Sequence, residues 1–411
     1  MTEGSRLDRS MRLVLVVNRF PTLSETGIFN KAQGLRTAGW DVQVVAHGRS
    51  ADAPLLDPGE TAPPVRYALV SRGRARSAHA ALLALWHPSR AWNTWRAIRE
   101  RASLPEALRT WSLALPLIDL QADIIHFESS GLAVTYLAAL PYLRPARLIA
   151  SCRGSAEKVT PIVDGGRREL LVRSLEAMDR VHCVSRDMLE HLAGYGFPRE
   201  RLFVIHPAVD AERRWLPVPR NPPADGRLRV VAVGRLHWVK GLDTLLQALR
   251  DLLREGLDVR VDLVGTGPER ERLAFLAHTF GIHERVHFLG AHGPDGVRSA
   301  IGSADVFVLT SLSEGLNNAT LEAMAMEIPV VVSAVGGMPE AVTDGCEGFL
   351  VPPGDATALA SRLCELARNP ALRSTMGKNG RRRVQASFDL SPQVASFLNV
   401  YRELLGRASS S

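Results

Sequence analysis

Asp305-Val306-Phe307-Val308-Leu309-Thr310, followed by Ser313-Glu314-Gly315-Leu316-Asn317-Asn318-Ala319-Thr320-Leu321-Glu322-Ala323-Met324-Ala325-Met326, decides how this chain is read. The first run is apolar and rich in β-branched and aromatic residues, which predicts a buried strand. Asn317 and Asn318 are N-cap residue types and predict a helix from there to about Glu327. Glu314 then falls in the loop at the carboxyl end of the strand. Glu322, eight positions later, falls one turn into the helix on the face looking back toward that loop. The helix N-terminus adds free N–H groups and a positive dipole, so an anion held there has one acid to meet it and another to brace it. The arrangement suits a sugar-phosphate ester. The competing reading is a loop Glu and a solvated helix Glu that never meet.

The same strand-then-helix grammar extends in both directions. Downstream of residue 226, strands are predicted at 229–233, 259–264, 286–289, 305–310 and 329–333, with helical patterns at 242–254 and 270–279 between them. Upstream, Arg12 to Val17, a helix from Phe29 to Ala38 stopped by Gly39, and Val42 to Ala46 make an opening β-α-β unit, with further strands at 124–126, 148–151, 181–184 and 202–205. Short buried strands alternating with helices specify α/β architecture, a parallel sheet covered on both faces. Pro217, Pro219, Pro222 and Pro223 mark 208–225 as a linker. The expected organisation is therefore an N-terminal domain over 1–207, a C-terminal domain over 226–390, and a final helix in 391–411 that packs on one of them. A chain of 411 residues has the length for two such cores.

Composition excludes several classes. No apolar run reaches the roughly 20 residues that cross a bilayer, and Met1 to Ser10 is polar, so a cytoplasmic protein is expected. Cys152, Cys183, Cys346 and Cys364 form no C-x-x-C pair, which argues against disulfides and a zinc site. Of the net charge of +7, all falls in residues 1–225, where 30 Lys/Arg face 23 Asp/Glu; beyond them the count is 20 against 20. Arg72, Arg74, Arg76, Arg90, Arg96, Arg99 and Arg101 accompany a single acid, Glu100, with Trp86, Trp92 and Trp95 interleaved. Such a segment suits an anionic membrane surface; it equally suits a solvated helix whose Trp residues pack inward.

Nearly every polar motif follows the carboxyl end of a predicted strand, where open α/β sheets bind ligands. Gly234-Arg235-Leu236-His237-Trp238-Val239-Lys240-Gly241 sets two cations five apart across a strand-to-helix turn, and these can converge on a diphosphate. Fixed cations there would stabilise a departing nucleoside diphosphate, whose charge grows as its bond to sugar breaks. Gly265-Thr266-Gly267 lacks the third glycine of a dinucleotide fingerprint and is either a ligand approach or a plain turn. Gly336-Gly337-Met338-Pro339-Glu340 reads as a structural turn at the edge of the site. Phe20 to Gly27 is rich in hydroxyls, His126 ends a strand, and Arg153 follows the next one as a further cation. There is no D-x-D, so no bridging divalent metal is expected and Arg235 with Lys240 must do that work.

Together these residues resemble the family-4 retaining glycosyltransferases of the GT-B fold, two Rossmann-like parallel α/β domains facing across a cleft. The matches are Glu314 and Glu322 as an E-x7-E pair, Arg235 and Lys240 in the G-R-L…K-G segment, Gly336-Gly337…Pro339-Glu340, Asp179 to Ser185, and Gly348 to Asp355. Phe20-Pro21…Leu23-Ser24-Glu25-Thr26 is similar to members that build capsular, exopolysaccharide or colanic-acid-like polymers.

The resemblance implies that Glu322 holds the ribose of a nucleotide, Glu314 contacts the donor sugar, and Arg235 and Lys240 bind the diphosphate. It places Gly315, Leu316, Asn317, Asn318 and Gly27 at the donor, His126 near the reaction centre, and Ser24, Glu25, Thr26 and Arg153 on the acceptor side. It implies no cofactor and no metal, a nucleotide-diphosphate sugar as co-substrate with uracil favoured over guanine, and a saccharide acceptor, lipid-linked, reached from the inner face of the cell membrane. The rivals are a small soluble acceptor and a catalytically silent scaffold that binds nucleotide sugars. Arg153-Gly154 stands where many members have His-Gly, and His206-Pro207-Ala208-Val209-Asp210 where many have Asn-Gly-Val-Asp.

Overall fold

The computed structural model describes residues 10–22, 26–50, 63–68, 73–219 and 227–406. Two compact units form. The first comprises Met1–Cys183, Leu189–Ile205 and Val394–Ser411, and the second Val184–Met188 and His206–Gln393.

In the first unit, β1 (Arg12–Arg19), β2 (Asp41–Gly48), β3 (Val65–Tyr67), β4 (Ile124–Phe127), β5 (Arg147–Cys152), β6 (Arg180–Cys183) and β7 (Leu202–Val204) form one sheet in the order β3-β2-β1-β4-β5-β6-β7. Every pairing is parallel. The run from Leu13 to Val17 is buried throughout because helices cover both faces of the sheet. The final helix, Leu390–Leu404, brings Tyr401 against Trp40 with ring centroids 5.6 Å apart.

The second unit carries β8 (Leu228–Val233), β9 (Val259–Val264), β10 (Val286–Gly290), β11 (Val306–Leu309), β12 (Val330–Ser333) and β13 (Gly348–Val351) in the order β10-β9-β8-β11-β12-β13, again all parallel. Alternate residues feed opposite faces: Val230 and Ala232 join one apolar core while Val231 joins the other. In both units the strand order reverses once, between β1 and β4 and between β8 and β11. That reversal opens a crevice at the carboxyl ends of the two strands flanking it.

Several elements depart from expectation. Strands β3 and β13 were not predicted from pattern: the first has three residues, and the second begins on a glycine. The helix after Asn317 spans Asn318–Ala325, with the Asn317 Oδ1 accepting from the Thr320 N–H at 3.0 Å, and it stops short of Glu327, which takes a left-handed φ of 60°. In the stretch read as a linker, Val209, Ala211 and Trp215 are buried in the second unit, where Arg381 donates to the carbonyls of Ala211 and Trp215 at 3.2 and 3.3 Å. The basic segment forms two helices, Gly73–Trp86 and Pro88–Arg99, since Pro88 begins a helix readily but cannot continue one. Its tryptophans divide. Trp95 packs edge-on against Trp111 at 6.0 Å, whereas Trp86 and Trp92 are 79% and 64% exposed. Arg72 lies outside the described residues.

Candidate functional site

The carboxyl ends of β8 and β11 meet at the second unit's reversal point. A pocket there is lined by Gly234, Arg235, Leu236 and Lys240 from the first loop, with Leu309 and Thr310 from the second. The loops are stitched by Leu312 N–H donating to the Val239 carbonyl at 2.8 Å and by the Thr310 hydroxyl donating to the Lys240 carbonyl at 3.0 Å. Lys240 forms an ion pair with Glu314, whose Oε2 also accepts from the Ser311 hydroxyl at 3.1 Å. Arg235 is exposed, and its guanidinium makes no hydrogen bond or ion pair with any described residue. The loop therefore presents one uncommitted cation beside one held by a carboxylate. An incoming diphosphate would compete with Glu314 for Lys240.

Two glycine turns come into close backbone contact with the loops that carry Arg235 and Glu314. Gly265 has φ +137°, and a Cβ there would lie 1.9 Å from the Gly234 carbonyl oxygen. Gly336 has φ +59°, and a Cβ there would lie 1.9 Å from the Glu314 carbonyl oxygen; the neighbouring Gly337 N–H donates to the Gly315 carbonyl at 2.5 Å. Both turns buttress from behind the loops that carry Arg235 and Glu314. Glu340, at the end of the second turn, accepts from the Arg186 and Asp187 N–H groups at 3.0 and 3.1 Å and from His206 Nε2 at 2.8 Å, which holds its carboxyl below the usual range and gives it a bracing role.

Glu322 sits in the helix Asn318–Ala325 at 7% exposure and makes no side-chain hydrogen bond or ion pair with a described residue. Burial pushes its carboxyl up to about 8, only partly offset by the charge of Arg214. Desolvated and unpartnered, it has acceptor and donor capacity left for a ligand. Gly315 extends the Glu314 loop, Leu316 is buried beneath it, and Asn317 is committed to capping.

In the first unit the expected residues lie in different surroundings. His126, expected near the reaction centre, is fully buried within β4. Its Nδ1 lies 2.8 Å from the Tyr401 hydroxyl and its Nε2 2.9 Å from the Ser151 hydroxyl. Burial, reinforced by Lys31, drives its pKa well below the ordinary value. Both nitrogens are thus committed to hydrogen bonds inside the core. Glu128, two residues on, was not singled out from the sequence. It is 1% exposed and ion-paired to both Lys31 and Arg153, and these two cations hold its carboxyl well below the usual range despite its burial. Its signal was its position immediately past β4, the kind of strand-end position that drew attention to Glu314. Thr26 and Gly27 open the helix Thr26–Thr37, partly exposed. Ser24 and Glu25 lie outside the described residues.

Comparison with known proteins matches residues 24–213 to the family described as Glycosyltransferase Family 4 and residues 227–369 to Glycosyl transferases group 1. The chain is 28% identical over 427 residues to a putative colanic acid biosynthesis glycosyltransferase, WcaL, of Escherichia coli K12, covering 94% of this chain and 99% of that protein. It is 26% identical to the amylovoran biosynthesis glycosyltransferase AmsK of Erwinia amylovora, over 88% and 92% of the two chains. Among solved structures, sucrose-phosphate synthase from Thermosynechococcus elongatus superposes with a TM-score of 0.73 at 21% identity, over 96% and 99% of the two chains. Anabaena HepE in complex with UDP-glucose also superposes at 0.73, with 18% identity over 94% and 99%.

Proposed function

Because the chain belongs to the glycosyltransferases that join a Family 4 domain to a group 1 domain in the GT-B fold, we propose that it transfers a sugar from a nucleotide-diphosphate donor to a saccharide acceptor in cell-surface polysaccharide synthesis. The observation that carries this reading is the reversal point between β8 and β11, where Arg235, whose guanidinium has no described partner, and Lys240 line one pocket and Lys240 is paired with Glu314. Arg235 and Lys240 bind the diphosphate and offset the charge that grows as the sugar leaves. Glu314, released from Lys240 by the incoming phosphates, turns to the donor sugar, and Glu322 takes the ribose hydroxyls. Two cations without a D-x-D suit metal-independent transfer. Resemblance to the family supports retention at the anomeric carbon, with the leaving phosphate helping to deprotonate the acceptor. Relatives named for colanic acid and amylovoran favour a polymer intermediate over a small soluble acceptor, and the HepE complex with UDP-glucose favours a uridine donor.

A lipid-linked acceptor is met at a membrane surface. On this reading attachment is peripheral; no described helix is long and apolar enough to span a bilayer. Leu85 and Trp86 at the end of one helix and Trp92 in the next are 78%, 79% and 64% exposed, and Arg96 and Arg99 are exposed beside them. Apolar side chains with flanking cations are the chemistry of an interfacial anchor.

Incubation with a panel of UDP- and GDP-sugars, reading diphosphate release with and without saccharide acceptors, tests the central claim. Release from one donor, stimulated by a lipid-linked saccharide, is expected. A protein that binds UDP yet releases none from any donor would be the scaffold instead.

A further inference from the structure

Two buried carboxyls stand past the carboxyl ends of β4 and β5, and they are served differently: Glu157 accepts from the Ser130 hydroxyl at 2.5 Å and the Gly154 N–H at 2.9 Å, whereas Glu128 meets cations. Lys31 and Arg153 both pair with the single carboxylate of Glu128, and the Lys31 and Glu128 side chains are 3% and 1% exposed. Arg153 spends its Nε on the Glu128 carbonyl at 2.7 Å and one terminal nitrogen on the carboxylate, leaving Nη1 without a described partner on a side chain that is 32% exposed. A second guanidinium borders the segment that follows Glu128. Arg167, in the helix Gly165–Glu176, places its Nη2 3.6 Å from where a Cβ on Gly131 would be, three residues beyond Glu128, and it pairs with no described carboxylate. Lys31 and Arg153 thus share Glu128 while Arg167 pairs with no described carboxylate, so the outer guanidinium nitrogens keep donor capacity for an anion. Burial, with the charge of Arg153 adding to it, lowers the Lys31 ammonium to about 8 in spite of Glu128.

We propose that Arg153 and Arg167 form a recognition site for an anionic group on the acceptor, a phosphate or a carboxylate. Guanidinium is the side chain suited to either, because its planar fork matches two oxygens of one group. Lys31 and Glu128 are positioning residues: they hold Arg153 by its inner edge and leave the outer nitrogen for the ligand. The inference rests on the glycosyl-transfer reading, since it names the chemical class of the acceptor for that reaction. The two sources, a phosphate-bearing carrier or an acidic sugar, share this chemistry and are separated by experiment.

The test is calorimetric titration of the full chain with UDP held at saturation, so that the Arg235 loop is occupied. Inorganic pyrophosphate serves as probe for a phosphate carrier, glucuronate for an acidic sugar, and glucose as neutral control. One anion should bind in a salt-sensitive way and glucose should not. Arg153→Gln and Arg167→Gln should each weaken that anion about tenfold, the range of one lost charge-assisted hydrogen bond, while UDP affinity stays unchanged. Arg167 lies on a partly exposed helix face, so its variant remains informative if Arg153→Gln fails to fold. Binding of neither anion to wild-type protein, or anion binding equal in wild type and Arg167→Gln, overturns the proposal and leaves the donor reading intact. Failure of UDP to bind would overturn the donor reading instead, and the same titration on Arg235→Ala protein would still decide the anion site.

Discussion

His182 donates its Nε2 hydrogen to the Ile205 carbonyl at 2.8 Å, and this bond sets the direction of three others. A carbonyl only accepts, so the neutral ring must present Nδ1 as an acceptor to the Ser151 hydroxyl at 2.9 Å. Ser151 then accepts from His126 Nε2 at 2.9 Å, and His126 Nδ1 accepts from the Tyr401 hydroxyl at 2.8 Å. A polar chain of one sense thus crosses β4, β5 and β6 and ties the C-terminal helix to the first sheet.

This chain predicts an acid-sensitive first unit. Burial first, with the charge of Arg153 adding to it, lowers His182 from 6.5 to about 3, and His126 is lowered too. The folded state keeps both rings neutral where an unfolded imidazole takes a proton. Stability is therefore complete above pH 6.5 and falls as pH drops toward 3, by up to about 1.4 kcal/mol per pH unit per ring. Urea melts at pH 7.5, 6.5 and 5.5 should show the loss, reduced in His182→Asn. A wild-type profile flat over that range would contradict the buried relay.

His126→Ala should strand the Tyr401 hydroxyl, leave Ser151 with only its bond to His182, and open a cavity in the core, destabilising the fold by roughly 2–4 kcal/mol. Turnover per folded molecule, measured at a temperature where the variant remains native, should stay within a few-fold of wild type. A hundredfold loss in fully folded protein would return His126 to the reaction centre.

Arg235→Ala should lower turnover roughly 100-fold or more with saturating donor, because a preorganised cation stabilises charge that grows in the transition state. Lys240→Ala should do the same. Since Lys240 and Glu314 are paired, the double variant Lys240→Ala/Glu314→Gln should be less impaired than the product of the single losses. Strict additivity would mean that the pair does not act as a unit.

Glu322 is a carboxyl raised to about 8, so the folded state retains a proton that the unfolded state releases above about 4.5. Stability from this group is lost as pH rises from 4.5 toward 8. Glu322→Gln should thus raise stability at pH 7.5 by roughly 1–3 kcal/mol, up to the limit set by linkage, while weakening UDP. An equal or lower melting temperature at pH 7.5 would show that the site is better solvated than the structure indicates.

Exchanging Leu85 and Trp86 for Ser should abolish flotation with anionic vesicles at low salt while leaving melting unchanged, whereas Trp95→Ala should lower melting because Trp95 packs on Trp111. Flotation that is insensitive to salt and to the exposed pair would remove the membrane surface from the account.

Two parallel α/β units were legible in the chain because fully buried strands are written as short runs of Val, Ile and Leu, which survive any tertiary context. The loops bearing Arg235, Lys240 and Glu314 were legible too, since ligand loops follow strand ends. Weak or short signals were not: three residues sufficed for β3, and the helix read from composition to about Glu327 ends at Ala325, ahead of a left-handed Glu327. Sequence alone thus determined the elements and the chemical types at the strand ends. Tertiary structure decided which of those groups remain free. His126 and Arg235 both belong to strand-end motifs, yet Ser151 and Tyr401 close around the first and nothing described closes around the second. Availability depends on partners that lie 25 and 275 residues away along the chain, a relation local pattern does not encode.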